Sequence, residues 1–438
     1  MCGRVTVFED RAAARGRTID LNIVVAPALR GDAETPLFIL EGGPGRGPAT
    51  DAAANLALFR RFQTDRDIVL VDERGSGRSN PIDCQARDDE HDVTLTSLAD
   101  NPVDRFRDCL THLDADPRFY TTTLAMDDLD DVRGALGYGA INVWGVSYGA
   151  SAALVYLARH EGSVRSVILD SVPPPSARPF LVWARSAQRA LDRLIADCAG
   201  DSACHDRFPE LGATVAAVLD LADRRPAVRL QHPLTGTTIE GPVSRDVVAG
   251  IILGLLYSPV SASLLPQLLT DAAHGSFQGL VSLALRSQEG MSGLFMSVHC
   301  SESVAGLTRA DFIRESEGTF LGASVLDTIL KPCEFWPRGN VDPAFYRPVS
   351  STRPVLVLSG SEDPVTPPSF GEDAVRTLPN ARQVVVPGTG HFTSASGCVP
   401  ALIGTFLATA DARSLDVSCL NRLHRPPFFL TRTGSGSR

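Results

Sequence analysis

Lysine is almost absent from this chain of 438 residues: Lys331 is the only one, and every other of the 41 basic residues is arginine. A phosphate-cradling loop of the G-x-x-x-x-G-K-[ST] kind is thereby excluded, so glycine-rich stretches must be read otherwise. The arginines are not gathered on one segment, and the formal charge of -10 argues against a nucleic-acid partner, which would need clustered cations. Long apolar runs are lacking as well. Val247 to Leu256 is the nearest approach, soon broken by Ser258 and Pro259; it is too short to span a bilayer and reads as a buried helix. Met1-Cys2-Gly3-Arg4 has no apolar stretch of signal-peptide type. None of the nine cysteines has the close paired spacing of a zinc knuckle or ribbon, so no metal is expected.

What the cysteines do have is neighbours: Cys84 with Cys109, Cys198 with Cys204, Cys300 with Cys333, and Cys398 with Cys419, leaving Cys2 over. Four disulfides in a periplasmic or secreted protein are expected; scattered thiols in a cytoplasmic one are the alternative. The length exceeds one minimal domain. Arg4 to Phe8 and Arg17 to Val25 alternate as half-buried antiparallel strands do. Pro36 to Leu40, Ile68 to Val71, Ala140 to Trp144 and Val164 to Leu169 are short apolar runs, which fit parallel strands covered on both faces. Helical periodicity lies between them, for instance at Met126, Leu129, Val132 and Leu136. Pro173-Pro174-Pro175 breaks this rhythm; residues 176–348 then read as helical, with few strand signals. Strand and helix alternate again from Pro354 to Ala408, and Thr431 to Arg438 has the composition of a disordered tail. The expected architecture is a doubly wound, mostly parallel sheet, with a core in residues 1–175 and 349–438 interrupted by a helical cap at 176–348.

Gly145-Val146-Ser147-Tyr148-Gly149 is G-x-S-x-G between a strand-like run and the helix-like Ala150 to Arg159. That setting places Ser147 on a sharp turn with its hydroxyl exposed. A serine hydroxyl needs a base in reach and an acid to orient the base. Asp363 follows the strand Val355 to Leu358, and His391 follows the next strand within Gly388-Thr389-Gly390. Parallel strands bring such ends to one edge. Glu362 and Asp170 are alternative acids, and His299 is a rival base. An oxyanion needs two donors: the Tyr148 amide opens the helix after the serine, and the Gly43 amide lies in the flexible loop Glu41 to Gly45.

These residues resemble the S33-type α/β-hydrolase peptidases, the proline iminopeptidases and the tripeptidyl aminopeptidases with a TAP-like C-terminal region. Gly42-Gly43-Pro44-Gly45 is similar to the family's GGPG loop, and Asp72 to Ser79 to the D-x-R-G-x-G-x-S element that buttresses it. Asp363-Pro364-Val365-Thr366 and Gly390-His391 resemble its acid and base loops. Cys2-Gly3, Thr6-Val7 and Glu9-Asp10 resemble the opening of the mature domain in exported members, implying a trimmed start. Where iminopeptidases carry His before GGPG this chain has Glu41, which could meet a cationic substrate group. The resemblance implies that a carboxylate near the cap holds the substrate's free amine, with Glu302 the best candidate. It further implies a cofactor-free serine hydrolase that cleaves N-terminal residues from peptides. A carboxylesterase for small or hydrophobic esters is the alternative, favoured if Val247 to Leu256 line the site; a binding module with a broken triad is a third reading.

Overall fold

A computed structural model of the protein describes residues 1–31, 34–84, 102–286, 291–322, 326–431 and 434. The expected disordered tail lies outside them, apart from Thr431 and Gly434. Alternation in the opening residues becomes two strands, β1 (Cys2–Phe8) and β2 (Thr18–Ala26), paired antiparallel with Ile19, Leu21, Ile23 and Val25 turned inward. The apolar runs become β3 (Glu34–Leu40), β4 (Arg66–Val71), β5 (Ile141–Val146) and β6 (Val164–Asp170). After a long excursion that includes a separate hairpin, β7 (Ala227–Gln231) and β8 (Thr238–Pro242), the chain returns as β9 (Val355–Gly360) and β10 (Ala381–Val386). The main sheet runs β1-β2-β4-β3-β5-β6-β9-β10, and every pair from β4 to β10 is parallel.

Period two explains why these runs are apolar throughout. Phe38, Val69, Val143, Val167 and Val357 face one buried layer; Leu37, Ile68, Trp144, Ile168 and Leu356 face the other. Connections between parallel strands must cross over a face, so all the parallel strands deliver their C-terminal ends to the same edge.

The excursion between β6 and β9 has two kinds of packing. Its first helices, among them Pro179–Gly200, Leu211–Asp223 and Arg245–Leu256, build a core of their own from Leu191, Leu194, Val218, Val248 and Ile252. The helix Gly293–Val298 and the residues after it, with Leu294, Met296, Cys300 and Trp336, instead join the layer beneath the main sheet. Helical periodicity reveals a buried face but not what buries it, so a single uniform cap was the natural reading of the sequence. The hairpin β7–β8 went unread because its strands are only five residues each, with alternation confined to Val228, Leu230 and Ile239.

Disulfides join Cys84 to Cys109, Cys198 to Cys204, Cys300 to Cys333 and Cys398 to Cys419, the four neighbour pairs, while Cys2 is an exposed thiol. Such a set fits an extracellular or secreted protein. Among the described residues no helix is long and apolar enough to cross a membrane.

Candidate active site

Ser147 sits between β5 and the helix Tyr148–Arg159 at φ +56°, a left-handed conformation costly for a side-chain-bearing residue. The turn is tight enough to exclude any side chain on its glycines. A Cβ at Gly145 would lie 2.2 Å from the Gly149 carbonyl oxygen, and one at Gly149 would lie 2.3 Å from that of Leu40. Ser147 N–H is held by the Asp170 carbonyl at 2.9 Å. The Gly42–Gly45 loop passes directly over the serine: a Cβ on Gly42 would touch Ser147 Cβ at 3.0 Å. Gly43 takes φ +113°, open to glycine alone at little cost.

Asp363 and His391 are brought together by the loops after β9 and β10. Asp363 is fully buried; its Oδ1 accepts the Val365 and Thr366 amides, each at 2.8 Å. Its Oδ2 accepts the Thr366 hydroxyl at 2.7 Å and His391 Nδ1 at 2.8 Å. Burial opposes ionisation of Asp363, but the His391 charge and these hydrogen bonds outweigh it and hold the carboxyl below its ordinary range. Burial likewise opposes charge on His391, and Asp363 outweighs it, raising the imidazole above its usual value. The backbone N–H of His391 bonds the Tyr257 carbonyl at 2.9 Å, and the Tyr257 ring meets the imidazole edge-on at 5.2 Å.

The other two candidate acids have partners of their own. Asp170 is fully buried, and its carboxylate accepts the amides of Thr393 and Ser394 at 3.0 and 2.7 Å, so it anchors the loop that carries His391. Glu362 pairs with Arg425 at 2.9 Å. Asp72 accepts the amides of Ala49, Thr50 and Arg78 and so ties the Gly-rich loop to the strand below it.

Gly43, Ser147, Tyr148, Tyr257, Thr366 and Glu302 line one cavity of about 120 Å³, walled by Phe180, Trp183, Phe295 and His299. None of Val247 to Leu256 lines it; that stretch packs into its own core, which removes the reason for favouring esters from it. Glu41 does not line it either. Burial raises its carboxyl, with the Asn55 hydrogen bond and the Arg46 charge pulling the other way.

Glu302 lies at the cavity floor, its two oxygens accepting the Thr122 amide and hydroxyl, each at 2.6 Å. The same hydroxyl is 3.1 Å from the Tyr148 hydroxyl, which bonds Glu73 Oε2 at 3.4 Å. Glu73 Oε1 is buried without a partner. Burial pushes Glu302 up to about 7 and Glu73 up to about 8. Among the described residues neither carboxylate has a cationic partner. Sequence reading took Glu73 only as part of the buttressing element; an acidic residue beside the arginine of that element was the available signal.

Two protein-family profiles match the chain: the α/β-hydrolase fold over residues 35–229 and the TAP-like protein family over 318–419. Serine protease Hip1 of Mycobacterium tuberculosis is 26% identical over 458 residues, covering 93% of this chain and 85% of that protein. The tripeptidyl aminopeptidase of Streptomyces lividans is 25% identical over 95% of this chain and 83% of its own. Carboxylesterase B of M. tuberculosis is 26% identical over 89% and 80%. The proline iminopeptidase of Mycobacterium smegmatis has a TM-score of 0.43 at 18% identity, over 93% of this chain and 98% of that one. With a G-x-S-x-G turn at the edge of a mostly parallel sheet, this chain has the α/β-hydrolase fold, is a serine hydrolase with a TAP-like C-terminal region, and is similar to the S33-type peptidases.

Proposed function

We propose that the protein is an exported aminopeptidase that cleaves N-terminal residues or short peptides through an acyl-enzyme. Ser147 Oγ attacks the scissile carbonyl carbon while His391 Nε2 takes its proton, later returned to the leaving amine. Asp363 holds His391 Nδ1–H and stabilises the imidazolium. The amides of Gly43 and Tyr148 receive the oxyanion, and water then releases the acyl group. Residues 176–348 serve as the cap over the site. The four disulfides support export.

One observation carries the peptide-amine reading: two buried carboxylates, Glu302 and Glu73, are linked through Thr122 and Tyr148 at the Ser147 cavity with no cation beside them. Burying uncompensated carboxylates is expensive, and a substrate ammonium supplies the missing charge. The names of the Hip1 and tripeptidyl aminopeptidase relatives agree with peptide cleavage. Aminoacyl arylamides with free and acetylated amines test this. Acetylation is expected to lower kcat/KM by about 100-fold or more, the loss typical of a site left with unpaired polar groups. Equal rates would discard the aminopeptidase reading in favour of an esterase, which short-chain nitrophenyl esters would then reveal.

A further inference from the structure

The π-helical turn His299–Ser303 carries a buried imidazole for which the hydrolytic scheme has no role. Single turns of this kind within helices are frequent at functional sites. His299 is held edge-on between Phe180 and Phe295, with ring centroids at 4.4 and 4.3 Å. Its Nδ1 is 2.8 Å from the Ser303 hydroxyl, whereas Nε2 is buried and makes no hydrogen bond of good geometry. A buried nitrogen left so costs about 1–3 kcal/mol.

His299 lines the cavity together with Ser147 and Gly43. Burial pushes the ring down to about 3, so it is neutral; the Gly43 backbone opposes that shift, as a carbonyl facing the ring does. The next residues of the loop meet the same segment. Ser292 Oγ is 3.4 Å from the Pro44 carbonyl oxygen, and a Cβ on Gly45 would lie 2.4 Å from that hydroxyl. The stretch Ser292 to Ser303 therefore runs alongside Gly43-Pro44-Gly45.

Resting on the reading of Gly43 as an oxyanion donor, we propose that His299 is a positioning residue for this loop. The Ser303 hydroxyl donates to Nδ1, which keeps the ring hydrogen on Nε2 and directs it toward the Gly43 carbonyl. Bonds of this sort are often long in a free enzyme and tighten in the reacting complex. Closing this one fixes Gly43 while its N–H receives the developing charge. The ring exchanges no proton with substrate.

Three variants separate this role from packing. In His299→Gln an amide nitrogen stands near the place of Nε2; in His299→Asn it stands near that of Nδ1; His299→Phe keeps a ring with no donor. Loss of the donor is expected to lower kcat by about 10- to 100-fold in the Asn and Phe variants, with KM changed by less than about 3-fold. The Gln variant should stay within about 5-fold of wild type. Rates of fluorophosphonate labelling at Ser147 should follow the same order, and the pH midpoint of kcat/KM should not move. Gln and Phe variants equally impaired, or all three unimpaired, would overturn the proposal, as would a shifted midpoint. A wild-type protein that does not label would overturn the reading beneath it as well; labelling of wild type and all variants at one rate would overturn only the role of His299. The Asn and Gln variants keep the comparison alive if the Phe variant does not fold.

Discussion

At Ser147 the backbone and the chemistry make opposing demands. A positive φ is uncomfortable for serine, yet it lifts the hydroxyl clear of the helix while Gly145 and Gly149 let strand and loop close around it. Gly149→Ala would drive a Cβ to within 2.3 Å of the Leu40 carbonyl oxygen, against rigid backbone. A loss of about 3 kcal/mol or more is expected by denaturant unfolding. Asp363→Asn leaves the shape but removes the charge that raises His391. It should cut kcat by roughly 10⁴-fold, the order seen when a triad acid becomes an amide. The acid limb of kcat/KM, expected above pH 6.5 in the wild type because the base must be neutral, should move to lower pH in that variant. The carboxyls of Glu302 and Glu73 make the opposite kind of prediction. Their native values, about 7 and about 8, lie above the ordinary 4.5, so the folded state binds more protons between those limits. Stability therefore falls as pH rises through that window. Glu302→Gln is expected to raise Tm more at pH 8 than at pH 5 while abolishing the preference for a free amine; a Tm gain independent of pH would count against the buried pair.

Elements act here by carrying chemistry-bearing residues to each other. Cys300 follows His299 in the turn that also holds Glu302, and its disulfide to Cys333 ties that turn to the next segment. Replacing Cys300 and Cys333 by serine is expected to impair activity more than replacing Cys398 and Cys419, which lie beyond the base loop, even where the two losses of Tm are similar. A second element contact joins the excursion to the base itself. Gly390 lies so near the Tyr257 carbonyl that a Cβ would stand 2.3 Å from it. Gly390→Ala should therefore push the helix Arg245–Leu256 away from His391 and lower kcat by about 10-fold or more. Unchanged kcat in that variant would show that this contact is not needed to hold the imidazole. The glycines around His391 were legible as a turn at a sheet edge, but the reason for Gly390 is a carbonyl more than a hundred residues away in the chain.

Over the whole molecule, four crosslinks and one sheet edge set the terms. Intact mass after unfolding should show eight further thiols freed by reductant beside Cys2, the number that four disulfides require. The strand runs, the serine turn and the loops of Asp363 and His391 were readable because each is a local pattern, apolar period or glycine spacing, complete within a dozen residues. The doubly wound, mostly parallel character of the sheet followed from the alternation of strand and helix, whereas the order of its strands came only from the fold. The buried surroundings of Glu73 were not readable, since its neighbours Tyr148 and Glu302 reach it only across the fold. Nor were the burial of Glu41 away from the cavity, the split packing of the excursion or the isolation of His299 Nε2.

By itself, then, the order of amino acids determined which segments become strands of the main sheet, which turn carries Ser147, and which loops bring the candidate acids and the imidazole of His391 to one edge of the sheet. Backbone geometry is a short-range property, written within each segment. Tertiary structure alone decided which carboxylates are buried without a counterion and which side chains wall the cavity. Burial and electrostatic environment depend on every group within several ångströms, and most of those groups are distant along the chain.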